Sequence, residues 1–205
     1  MARGPVLDHV GRMSRYRTLT VIVASLLAGC AASQKAPDKA GLNRQRLMLS
    51  EGYSMLYADA GKLDVADLIL YVKTESEATH KVVTEVSAFG GELKKDLERI
   101  ARDYPGVRID LDPLPEMEKR KRAAIAKDRA KYFAPIVGHG GREYERTVLL
   151  GFANGLNHEL HLCEVMAAAE PDAGLKKFLM ETGKRYSSLY ERVTGLLEKE
   201  YFKSS

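Results

Sequence analysis

Apolar residues recur at helical spacing over most of the chain, and only Val107, Ile109 and Leu111 alternate with polar neighbours as a strand would. Leu42, Leu49, Tyr53, Leu56 and Ala60 share one face of a helix predicted over 42–60, which Gly61 ends. A second helix is predicted over 65–89 behind an Asp64 cap. Its stripe is Leu68, Val72, Glu75, Thr79, Val82, Val86 and Phe89. Gly90-Gly91 predicts an interruption or kink, after which Leu93, Leu97 and Ile100 continue helically to Asp103. Tyr104-Pro105-Gly106 is a turn, and 107–115 reads as an extended crossover without a partner strand. The next helix, 116–133, is charged nearly all round and has a poor apolar face, so partial solvation is expected. Pro135 and Gly138-His139-Gly140-Gly141 break the chain before the two cleanest stripes. Leu149, Phe152, Leu156, Leu160, Cys163 and Ala167 mark a helix over 142–169. After the turn Glu170-Pro171-Asp172, Leu175, Phe178, Leu179, Tyr186, Leu189, Val193, Leu196 and Leu197 mark another, reaching Phe202.

These patterns predict an all-α fold: a four-helix bundle built from two antiparallel helical hairpins, with a long crossover carrying an extra charged helix. Short connections make each hairpin's helices neighbours, and packing hairpin on hairpin closes one core. In this connectivity the chain resembles the ferritin-like class, an architectural likeness spanning Leu42 to Phe202.

The N-terminal segment has a different pattern. Arg12, Arg15 and Arg17 precede a short apolar run, Leu19 to Ala28, which is too short for a membrane span of roughly 20 residues. It leads into Leu27-Ala28-Gly29-Cys30. This resembles the lipobox of bacterial lipoprotein signals. The resemblance implies cleavage between Gly29 and Cys30, a thioether-linked diacylglycerol on Cys30, and an amine open to acylation. Ala31 in place of Asp implies the outer membrane of a diderm envelope, facing the periplasm. Met13 gives a compact basic start and is the expected initiator. The expected organisation is a signal over 1–29, a lipidated cysteine with a small, polar tether over 30–41, and a helical domain over 42–205. Two or three acyl chains hold a protein stably where one gives only marginal binding.

The anchor changes how charge and cysteines are read. The chain has 32 basic and 28 acidic residues, net +4. Positions 1–29 contribute four basic residues and one acid, which leaves 28 and 27 in the mature part, net +1. Its global charge gives no reason to propose nucleic acid. If Cys30 carries lipid, Cys163 has no partner within the chain. It then reads as a small buried hydrophobe, and an intrachain disulfide framework is excluded.

Candidate chemistry follows from the ferritin-like likeness. Such sites take one Glu from each of two helices and a Glu-x-x-His pair from each of the other two. Glu77-Ala78-Thr79-His80 has that spacing, Glu51 stands on the first helix, and Glu159, Glu164, His158 and His161 stand on the fourth. Glu181-Thr182-Gly183-Lys184 occupies the place of the second pair without a histidine. At 100° per residue, Glu51, Glu77, His80 and His158 fall largely on the solvent side of the predicted stripes, whereas a di-metal centre needs them inside. His158, His161 and Glu164 could hold a metal on one helix flank, although Glu164 drifts round by about 60° at that pitch. Glu75, Thr79 and Thr182 lie on apolar stripes instead. A carboxylate there must be paired or protonated, which singles out Glu75. The Lys119–Arg122 run fits either a solvated face or contact with anionic headgroups. His139 among glycines lacks the strand and lysine of a phosphate loop. No nucleophile motif or dinucleotide fingerprint occurs. The expectation is therefore an envelope lipoprotein without identifiable catalysis or cofactor. Its partners would be the bilayer and an unknown envelope protein, and its role structural or protein-interacting. A ferritin-like metal-binding envelope protein is the alternative.

Overall fold

The computed structural model describes residues 39–71, 76–133 and 141–202. The segment from Met1 to Asp38, including Gly29, Cys30 and most of the tether, lies outside them, as do Val72, Glu75 and His139. The regular elements among the described residues are all helices, with no strand among them. The helices are α1 (Lys39–Asp64), α2 (Glu77–Asp103), α3 (Glu116–Phe133), α4 (Gly141–Ala169) and α5 (Ala173–Leu197). A short 3-10 helix, Ala66–Tyr71, follows α1, and a π-helical turn, Glu198–Phe202, follows α5.

The largest departure from the sequence reading concerns the second helix. Asp64 does not cap a helix over 65–89. It ends α1, and Leu68 is exposed in the 3-10 turn. α2 starts at Glu77, where the Ser76 hydroxyl accepts from the Thr79 amide at 3.3 Å. Serine satisfies an otherwise orphan amide of the first turn, and this local bond sets the helix start. Gly90-Gly91 does not interrupt α2, which runs unbroken to Asp103. The glycines mark a close crossing instead: a Cβ on Gly90 would lie 2.5 Å from the Asp64 amide nitrogen. At the other end of the chain, Asp172 caps α5 by accepting from the Leu175 amide at 2.9 Å.

Contacts between helices step in opposite directions along each neighbouring pair. Between α1 and α2, Asp64 meets Gly90, and Tyr57 donates to Glu98 at 2.9 Å. Between α1 and α4, Arg46 binds Glu170 just past the end of α4, and Gly52 abuts Met166. Between α2 and α5, Arg185 pairs with Glu92 at 2.6 Å, and Arg192 pairs with Glu85. Phe89 and Tyr186 meet edge to face, with ring centroids 4.8 Å apart. Between α4 and α5, Cys163 faces Gly183, and Tyr201 reaches Glu145.

The expected stripes of α1, α4 and α5 fill one core, and Val82, Val86, Phe89, Leu93, Leu97 and Ile100 join it from α2. Leu42, expected on that face, is exposed, and helix α1 starts at Lys39, inside the expected tether. The segment after α2 packs along α1 without forming a strand. Val107 is buried, Ser50 Oγ donates to the Gly106 carbonyl, and Ser54 Oγ accepts from the Leu111 amide at 3.1 Å. These serines replace the ladder bonds that an isolated extended segment lacks. α3 has no buried side chain among its described residues, as its charge pattern predicts.

Candidate functional site

Helix α4 turns two glutamates, Glu145 and Glu159, toward the interior, and a third, Glu170, follows its last residue. Ionised carboxylates in a core require partners, and the three meet that requirement differently. Glu170 is fully buried and receives both arms of Arg46, at 2.9 and 3.1 Å. Tyr53 donates a third bond at 3.1 Å, and the Asp172 amide a fourth at 3.1 Å. A bidentate guanidinium with two further donors saturates this carboxylate. Glu170 in turn helps burial raise the Tyr53 hydroxyl well above its usual range.

Glu145 sits at the opposite end, where α2 and α4 begin. It accepts from the Ser76 amide at 2.7 Å, the Ser76 hydroxyl at 2.8 Å and the Thr79 hydroxyl at 2.9 Å, and also from Tyr201. Burial pushes this carboxyl upward, but the hydrogen bonds outweigh it and hold the group below the usual carboxylate range. Beside it a cleft of about 610 Å³ opens between Ser76, Lys81, Arg142 and Tyr201. Arg142 stacks over the Tyr201 ring at 5.1 Å and donates to the Glu200 carbonyl.

Glu159 lies between these two, at mid-helix, and no ordinary donor reaches its Oε2. Burial, then the charge and hydrogen bond of Asp59 on α1, raise its carboxyl to about 8. A buried carboxyl beside a second carboxyl resists ionising, because the apolar setting penalises the added charge. Asp59 also pairs with Lys62, and burial favours the protonated form of Glu159. Around the pair stand Arg122 of α3, Cys163 of α4 and Tyr186 of α5. The buried Tyr186 hydroxyl has no protein partner, and burial moves it well above its usual range. Burial pushes the Cys163 thiol up to about 12. A thiol so protonated is not a nucleophile at neutral pH. Burial thus favours the protonated forms of Glu159, Cys163 and Tyr186 within the core.

Of the residues singled out from the sequence, Glu159 and Thr79 belong to these sites, and the metal candidates besides Glu159 lie elsewhere. Glu77 and His80 are exposed on the first turn of α2, and His158, His161 and Glu164 are exposed on α4. Glu51 is half-buried on α1. His161 Nδ1 meets Glu164 at 2.8 Å, one turn apart on the surface, and the two exchange a hydrogen bond there. Among the described residues no group of three or more His, Cys, Asp or Glu side chains is placed to hold a metal ion. The Glu77-x-x-His80 and His158–His161–Glu164 arrangements are therefore not brought together into one site. Thr79 and Thr182 are buried as their stripes predict.

The buried glutamates carried a sequence signal that motif spacing passes over. Glu145 stands four residues before Leu149, Glu159 three after Leu156 and four before Cys163, and Glu170 three after Ala167. All three therefore continue the apolar stripe of α4.

No helix among the described residues is long and apolar enough to cross a membrane. No protein-family model, no curated protein and no solved structure matches the chain.

Proposed function

We propose that the chain is an envelope lipoprotein, acylated at Cys30, whose mature part is a helical module with a structural or protein-interaction role and no catalysis of its own. The observation that carries the reading is Leu27-Ala28-Gly29-Cys30 behind a short apolar run and three arginines. Each position the lipobox requires is filled, and Ala31 favours the outer membrane, with the module facing the periplasm.

We read the module as a four-helix bundle of two antiparallel hairpins, α1–α2 and α4–α5, joined by a crossover that carries α3. The opposed stepping of contacts along all four neighbouring pairs supports this reading. The buried polar groups fit a module built to hold its shape. Glu145 and Glu170 are saturated by donors from the same chain, and the Asp59–Glu159 pair lies beneath residues that offer no exposed nucleophile. The partners are the bilayer, through Cys30, and an envelope protein that the anchored module would meet there.

Membrane fractionation tests the reading. The native chain should stay with the membrane fraction. A chain exported on an ordinary cleavable signal, with Ala at position 30, should be recovered in the soluble envelope fraction. Equal recovery of both chains in the soluble fraction would overturn it.

A further inference from the structure

The first three turns of α1 combine cations with exposed apolar side chains. Residues 39–50 hold Lys39, Arg44 and Arg46 and no acid. Arg46 is engaged by Glu170, while Lys39 and Arg44 form no ion pair among the described residues. The core begins at Leu49 on the inner face. On the outer face Leu47 is 52% and Met48 51% exposed, one turn beyond Arg44. Side chains of this size standing out beside a cation suit a surface that is apolar below and anionic above, which is the interfacial zone of a phospholipid leaflet.

Chain length points to the same occupant. Eight residues, 31–38, separate Cys30 from Lys39. Fully extended they reach at most about 28 Å. With Cys30 acylated, the start of α1 is the part of the helical domain with the shortest covalent leash to the bilayer. The basic helix α3 is a weaker candidate despite its higher charge. Asp112 holds Lys119, Glu116 holds Arg120, and Glu118 holds both Lys121 and Arg122.

We propose that Lys39, Arg44, Leu47 and Met48 form a membrane-docking patch that rests on anionic phospholipid. The inference depends on the lipoprotein reading, since the anchor supplies the proximity. Each cation near an anionic leaflet adds roughly 1 kcal/mol, about a fivefold gain in occupancy, and this gain is lost at high salt.

The chain has no tryptophan, so Leu47→Trp places a single indole in the patch of the acylated protein. Leu150, 45% exposed on α4, gives the control site as Leu150→Trp. Each protein is reconstituted in vesicles of phosphatidylcholine alone or with phosphatidylglycerol. Co-flotation reports the anchor, whereas indole emission and quenching by brominated lipid report the patch. The expected result is co-flotation with both vesicle types. In phosphatidylglycerol vesicles the indole at position 47 should move to shorter wavelength and be quenched. It should do neither in neutral vesicles or at high salt, and the indole at 150 should do neither anywhere. Adding Lys39→Glu and Arg44→Glu should abolish the shift without affecting flotation. Flotation with a water-like indole at 47 in both vesicle types would overturn the patch and leave the anchor standing, as would an equal shift in both. Failure to float would overturn the anchor and the patch together.

Discussion

Glu159 on α4 is buried beside Asp59 on α1, and burial together with that neighbouring carboxyl favours the protonated form of Glu159. Retention of that proton depends on pH. In the folded chain Glu159 releases it at about 8, against an ordinary value of 4.5. The unfolded chain therefore loses this proton first. Stability from the group is fully present below 4.5 and falls as pH rises through about 8, by on the order of 5 kcal/mol. Glu159→Gln keeps a donor toward Asp59 without the charge. Thermal melts followed by circular dichroism from pH 5 to 9 should show a Tm that falls in the native chain and a flatter profile in the variant. Parallel profiles would rule out the protonated form of Glu159.

Glu145 behaves in the opposite sense. Its carboxyl is held below the usual range, so the stability it gives is present above 4.5 and lost as pH falls through its lowered value. Acid titration should therefore loosen the end of the fold where Ser76, Thr79 and Tyr201 donate to it. Amide hydrogen exchange at pH 3 should report opening of the first turn of α2 before the α1–α4 contact at Gly52. The reverse order would contradict the assignment.

Arg46→Ala leaves the fully buried Glu170 without its counter-charge. The expected cost is about 3 kcal/mol in chemical denaturation. Adding Glu170→Gln should recover part of that loss, because a neutral amide needs no cation. A single variant costing under about 0.5 kcal/mol would mean that Tyr53 and the Asp172 amide suffice.

Two glycines of the same helical character should respond with opposite signs. Gly90→Ala forces a methyl to within 2.5 Å of the Asp64 backbone and should destabilise by about 2 kcal/mol. Nothing lies within 4 Å of a methyl on Gly155, so Gly155→Ala should stabilise by about 0.5–1 kcal/mol through helix propensity alone. Urea midpoints of the two variants decide this, and a neutral Gly90→Ala would mean that α1 and α2 are not in close contact there.

Burial and neighbouring carboxyls protect the Cys163 thiol. Maleimide labelling should be negligible in the folded chain at pH 7 and complete in denaturant. Rapid labelling of the folded chain would show that α4 and α5 do not cover it.

How far the sequence discloses this molecule differs by level. The stripes of α1, α4 and α5 are legible because each has one partnered face and repeats over many turns. The start of α2 is not, because Leu68 and Val72 extend the periodicity backward, whereas Ser76 fixes the boundary through a single local bond. Gly90-Gly91 signals a break in a one-dimensional reading, yet only a tertiary crossing reveals why a side chain is excluded there. Motif spacing drew attention to Glu77 with His80 and to His158 with His161, which stand on the surface. Glu145, Glu159 and Glu170 repeat with the stripe itself, but what each meets depends on residues up to 124 positions away in the chain, as Arg46 and Glu170 are.

Lipid anchoring is tested most directly by mass spectrometry of the N-terminal peptide of the native protein beside a Cys30→Ala variant. A peptide beginning at Cys30 with the mass of two or three acyl chains, absent from the variant, is the expected result. An unmodified Cys30, or a native N-terminus elsewhere in the chain, would contradict it.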